Sequence, residues 1–161
     1  MKSRLIISMG IILILMSTGL SLASPKGVVV DLRDYATGRK IVSRSSMPGD
    51  IITFTWNNSL FRLKVTEVYI VKEGFIEQTS VTFHDPNGKK PPVIRPEEVD
   101  DFYHTGGPFI AEGIARPFKK IIFLIGDYGN PVLKIGDSSI RFKEEVGFGG
   151  AVILEVKGYQ P

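Results

Sequence analysis

The chain has 161 residues, 43% of them hydrophobic, a formal charge of +3 and no cysteine. Without cysteine there is neither a disulfide framework nor a lipid-attachment thiol, so stability must come from an apolar core. So small a charge, with nothing basic concentrated in one place, gives no purchase for counterion release and excludes a nucleic-acid partner.

Lys2 and Arg4 precede a nearly unbroken apolar run from Leu5 to Met16, and Ser21-Leu22-Ala23 places small residues at both positions that a signal peptidase reads. Residues 1–23 are therefore expected to be a signal peptide cut after Ala23. The alternative is an uncleaved N-terminal anchor, because the apolar stretch approaches the length of a membrane span. Either outcome exports the body of the chain and confines membrane contact to this segment. Residues 24–161 then suffice for one β domain with its own core.

Lys26 to Leu32, with three consecutive valines, reads as a strand. A turn around Ala36-Thr37-Gly38 and a short strand at Lys40 to Ser43 follow, and Met47-Pro48-Gly49-Asp50 breaks the chain. From Asp50 to Phe83 the sequence alternates as a three-stranded meander. A two-residue turn at Asn58-Ser59 would set Trp56 opposite Phe61, Phe54 opposite Leu63 and Ile52 opposite Val65. A three-residue reversal at Lys72-Glu73-Gly74 would set Phe75 opposite Val71, Glu77 opposite Tyr69, Thr79 opposite Glu67, Val81 opposite Val65 and Phe83 opposite Leu63.

Glu67 falls on the oily face of that meander. Burying an unpaired carboxylate costs several kcal/mol, comparable to the whole margin of a small domain, so Glu67 must be paired, protonated or wet. With Tyr69 and Glu77 beside it, this end of the face is expected to be polar. Two readings stand open: a half-exposed acid where the sheet outruns its core, or a small cleft for a cation or basic group.

From His84 to Pro117 the alternation stops and six of the ten prolines crowd together, as in a long irregular insertion. Within it, Pro96 to Asp101 predicts the start of one short helix, with proline and acids in its first turn, and Gly106-Gly107 predicts its end. Asp100 and His104, four apart, would share a face of that helix and are weak candidates for a metal. Asp85-Pro86-Asn87-Gly88 lacks the spaced ligands of a calcium loop and reads as a β turn.

Lys119 to Ile125 reads as a strand buried on both sides, turned by Gly126 to Asn130. Val132 to Ile135, a turn at Gly136-Asp137, then Ile140 and Phe142 form a hairpin, and Ala151 to Val156 a last strand. Short strands, frequent glycine turns and almost no helix predict an all-β fold. An antiparallel β-sandwich or partly open barrel is expected, with one long proline-rich insertion.

Asn58-Ser59-Leu60, then Val65, Glu67 and Tyr69, resemble the His-Ser-Val, Pro-Val, Glu and aromatic pattern of a family known only as domain-of-unknown-function family 1850. The Gly49-Asp50 step and the layout from Ile114 to Val156 are similar to it too. The family's histidine is Asn58 here, its proline is Lys64, and its glycine-alanine-glycine loop has no counterpart near His84 to Gly88. Its members are small exported proteins, often encoded beside tripartite periplasmic-type (TRAP) transporters of the TAXI class. The resemblance implies that setting, and a membrane transporter or its solute-binding subunit as partner.

No enzymatic constellation is visible: both histidines lie in the irregular segment, and there is no phosphate loop and no nucleophile elbow. The reading reached is a non-enzymatic accessory or binding module without a cofactor. Its candidate contact residues are Asn58, Ser59, Glu67, Tyr69 and Glu77. The alternative is a structural or adhesive envelope domain, acting through an exposed sheet edge with no transporter link.

Overall fold

The computed structural model describes residues 27–158, and the expected leader lies outside them. In chain order the strands are β1 (Val28–Asp34), β2 (Lys40–Ser46), β3 (Ile51–Asn57), β4 (Lys64–Lys72), β5 (Phe75–Phe83) and β6 (Val93–Ile94). A 3-10 turn (Pro96–Glu98) and helix α1 (Val99–Thr105) follow, then β7 (Phe109–Phe118), β8 (Lys120–Leu124), β9 (Val132–Ile135), β10 (Ser138–Arg141), helix α2 (Phe142–Val146) and β11 (Ala151–Gly158). They build two sheets that do not close into a barrel, ordered β2-β1-β11-β8 and β10-β9-β3-β4-β5-β7-β6. All pairings are antiparallel except the short β6–β7 contact. The expected all-β sandwich is what the chain forms. Among the described residues, no helix is long and apolar enough to cross a membrane.

Side chains two apart share a face of a strand, so Val65, Glu67, Tyr69 and Val71 all point inward from β4. Two different covers meet over that face. The smaller sheet lays Val30, Leu32, Val152 and Leu154 over Ile52, Tyr69, Val71, Leu133 and Ile135. Phe123 of β8 closes on Phe54, their ring centroids 4.2 Å apart, and Phe142 of α2 completes a triangle of rings at 5.5 Å from each. Farther along, α1 takes over. Val99, Phe102 and Tyr103 sit on Val65, Val81, Phe83 and Phe109, with Phe83 and Phe109 stacked at 4.6 Å. Both of those phenylalanines are fully buried, and each contributes about 1.5–3 kcal/mol relative to an exposed ring. Trp56 packs against both clusters. Glu67 therefore lies at the seam between the two covers.

Several expectations are corrected. The β3–β4 register pairs Trp56 with Val65, Phe54 with Glu67 and Ile52 with Tyr69, because the connection runs from Asn58 to Leu63. The Asn58 Oδ1 accepts from the Phe61 N–H at 2.8 Å and the Asn58 N–H donates to the Leu63 carbonyl at 2.8 Å. That Asx turn takes Phe61 out of the ladder, with Arg62 at φ 57° turning the corner. The slip from the expected register is an even number of residues, so every inward side chain stays inward.

At the second hairpin only Glu73 and Gly74 separate the paired Lys72 and Phe75, so the inward place opposite Val71 expected for Phe75 is taken by the buried Ile76. A bulge at Thr79 then restores the parity, putting Val81 opposite Glu67 and Phe83 opposite Val65. The proline-rich stretch is irregular only to about Gly107: Phe109–Phe118 is a full strand of the larger sheet. α1 forms as expected and stops at Gly106, φ 77°. β8 is open on one face, with Ile122 and Leu124 exposed, because it borders its sheet and none of the described residues covers its outer side. The short helix α2 at Phe142 was not anticipated.

Candidate functional site

Glu67 is 9% exposed, and its carboxylate is met from three strands. The Trp56 Nε1–H donates to Oε1 at 2.9 Å, while the Tyr69 hydroxyl and the Gln78 amide, the latter at 3.2 Å, donate to Oε2. Burial pushes the Glu67 pKa up, and the hydrogen bonds from Tyr69 and Trp56 and the more distant Arg116 guanidinium oppose that rise. Tyr69 is pushed up in turn by burial and by the Glu67 charge, as is Tyr103 of α1. Hydrogen bonds to a charged group contribute about 1.5–3 kcal/mol each, so the three donors offset part of the desolvation cost, which still leaves the pKa raised. Glu67 is thus a supported buried acid.

The two-residue turn at Glu73-Gly74 decides who stands beside it. From that turn the ladder runs unbroken to the pairing of Tyr69 with Gln78, so Gln78, buried, faces inward and Glu67 has an amide donor and not a second acid as companion. Glu77 points to the opposite face, half-buried, and pairs with Lys72 at 3.3 Å. It leaves the candidate site, a correction that follows from the two-residue turn at Glu73-Gly74.

Glu67 also lines a cleft of about 520 Å³. Phe54, Trp56 and Glu67 contribute its floor, the Asn57 to Leu60 loop one bank, and β8 from Ile121 to Leu124 the other, with Asp127 and Tyr128 at one end. Of the candidate residues, Asn58, Ser59 and Glu67 line this cleft, and Tyr69 stands behind Glu67 as a donor. Asn58 also builds the loop that carries Ser59 and the exposed Leu60. Sequence reasoning missed Trp56 as a Glu67 partner, Gln78, and the whole β8 bank. Only the alternation at Trp56 hinted at any of these.

Asp100 and His104 are exposed on α1, and Asp100 is engaged by Arg116 at 3.1 Å. Among the described residues, no group of three or more histidines, cysteines or acids is placed to hold a metal ion.

No family model, no curated protein and no solved structure matches the chain.

Proposed function

We propose that this protein is an exported, non-enzymatic binding module, and that it engages its partner through the cleft above Glu67. The observation that carries this reading is the placement of a buried, triply hydrogen-bonded carboxylate at the floor of an open cleft. A purely structural acid has no need of such an opening. The site offers a fixed acceptor, an indole edge and the polar loop of Asn58 and Ser59, yet among the described residues no nucleophile with a base beside it, so it suits recognition better than turnover. The resemblance of Asn58-Ser59, Val65, Glu67 and Tyr69 to the exported family supplies the setting. The proposed partner is a TAXI-type TRAP transporter or its solute-binding subunit.

The test is cross-linking in the protein's own cells with a C-terminal tag, followed by mass spectrometry of what co-purifies, for wild type and Glu67→Gln. Recovery of a transporter component, reduced at least about tenfold in Glu67→Gln, is the expected result. Equal recovery from both, or recovery of envelope structural proteins alone, would overturn the reading.

A further inference from the structure

Four strands border the two sheets: β2 and β8 the smaller, β10 and β6 the larger. Exposed edges invite another strand, and three of these four are blunted in familiar ways. β2 is polar, and its Arg44 reaches across to the Ile135 carbonyl at 3.0 Å. β10 has four residues and ends in Arg141, while β6 has two residues between Pro92 and Pro96. β8 is not defended. Beyond Lys120 it reads Ile121-Ile122-Phe123-Leu124, without charge, proline or bulge.

The ladder fixes which of its groups are free. The Tyr35 N–H donates to the Ala151 carbonyl at 2.9 Å, so Ala151 bonds toward β1, and alternation turns Val152 and Leu154 toward β8. From the other end, the Ile125 N–H donates to the Gly150 carbonyl at 3.0 Å, so Ile125, and with it Phe123 and Ile121, bond toward β11. Both routes leave the N–H and C=O of Ile122 and Leu124 directed at the open edge. β8 pairs only with β11 among the described residues. Ile122 and Leu124 are the exposed apolar residues of β8, and both line the cleft above Glu67.

We infer that the cleft receives one extended segment of a partner protein, which pairs with the backbone of Ile122 and Leu124 as a fifth strand of the smaller sheet and sets a basic side chain over Glu67. The inference rests on the reading of the cleft as a partner site and specifies how it is filled. A strand beside β8 lies with one face on the floor made by Trp56 and Glu67, so every second side chain points at that floor. Charge complementarity selects the residue there: Glu67 and Asp127 are carboxylates, and among the described residues no lysine, arginine or histidine lines the cleft. Leu60, 76% exposed, and Leu124, 80% exposed, flank the opening and suit apolar neighbours on the same segment. A second copy of β8 fits less well, because its inward side chains Ile121 and Phe123 already pack in its own core and bring no cation to Glu67.

The probes are capped octapeptides of alternating threonine and valine, with one inward position occupied by lysine, norleucine or glutamate. A fourth probe is the lysine peptide N-methylated on the amides of its pairing edge. Binding to the purified chain is followed by titration calorimetry, and amide hydrogen exchange by NMR. The lysine peptide is expected to bind at least tenfold tighter than the glutamate peptide, and N-methylation to weaken it at least tenfold. The Ile122 and Leu124 amides, fast in the free protein, should slow at least tenfold on binding, whereas Phe123 is already slow. Leu124→Pro, which removes an outward N–H without touching the β11 ladder, should lose binding at least tenfold. Absence of peptide binding, binding without protection of Ile122 and Leu124, or undiminished binding by Leu124→Pro with a folded spectrum would each overturn the inference. So would protection of those amides in a free protein whose mass by light scattering is that of a dimer, which would assign the edge to a second copy. Partner loss in Glu67→Gln, with none in Leu124→Pro, would retain the cleft as the site and remove strand addition.

Discussion

Glu67 is where a single protonation is felt by the whole fold. Its pKa is raised in the folded state by burial, so its contribution to stability is fully present below its ordinary value of 4.5 and is lost as pH rises through the raised folded value. The stability difference between wild type and Glu67→Gln should therefore move against wild type as pH rises above 4.5 in urea titrations. A difference that does not change with pH would mean that the carboxyl titrates as if solvated. Trp56→Phe keeps an aromatic ring and removes the donor to Oε1, so it should cost about 1–3 kcal/mol at neutral pH, read by the same titration. A smaller loss would show that water replaces the indole N–H.

Elements were legible in the sequence where one period ran unbroken. The inward parity of β3 and β4 could be read because Ile52, Phe54, Val65 and Val71 alternate strictly, and a slip of register by an even number leaves the buried face unchanged. That is why Glu67 could be placed on the inward face; the half-exposed position offered for it is not what forms, since it is 9% exposed. The neighbours of Glu67 were not legible, since the two-residue turn at Glu73-Gly74 exchanges Glu77 for Gln78 and the Thr79 bulge that then restores the parity leaves no mark in composition. Nor was β7, whose alternation is broken by Gly113, by Ala115 at φ 53° and by Pro117. The loop after β3 imitated a strand because Leu60 and Phe61 are apolar for separate reasons: Leu60 is exposed on the cleft bank, and Phe61 packs on the end of α1. A Cβ at Gly106 would lie 2.3 Å from the Phe61 ring, and the φ of 77° adds backbone strain. Gly106→Ala should thus destabilise by about 2–4 kcal/mol in urea unfolding, loosening both loop and helix. A loss below about 0.5 kcal/mol would mean that the ring simply swings aside.

At the scale of the molecule, one long sheet wears two covers, and the cleft exists because they do not quite meet. The two banks of that cleft are contributed by residues more than sixty apart in sequence, which no local pattern could announce. The covers also separate in energy. Val99→Ala removes about 1–2 kcal/mol of burial from α1, and should speed amide exchange over α1 and the adjoining ends of β5 and β7 while leaving β1 and β11 protected. Uniform acceleration would show a single cooperative unit. On the outer face of the smaller sheet, burial alone would raise Asp31, but hydrogen bonds from Ser43, Arg33 and Lys157 outweigh it and hold its pKa well below the usual carboxylate range. Its stabilisation is present above the ordinary value of 3.8 and lost as pH falls toward the lowered one. Asp31→Asn should accordingly lose less stability than wild type on acidification, as urea midpoints down to about pH 2 would record.

The central claim is that the cleft between the β8 edge and the Asn58 loop is where this protein meets its partner. A photo-cross-linking residue placed in the full-length protein at Leu60, at Leu124 and, as a distant exposed control, at Val93 tests it most directly. The account predicts one discrete partner adduct from Leu60 and Leu124, absent when Glu67→Gln is added, and none from Val93. An adduct from Val93 alone, or adducts from all three positions that survive Glu67→Gln, would contradict it.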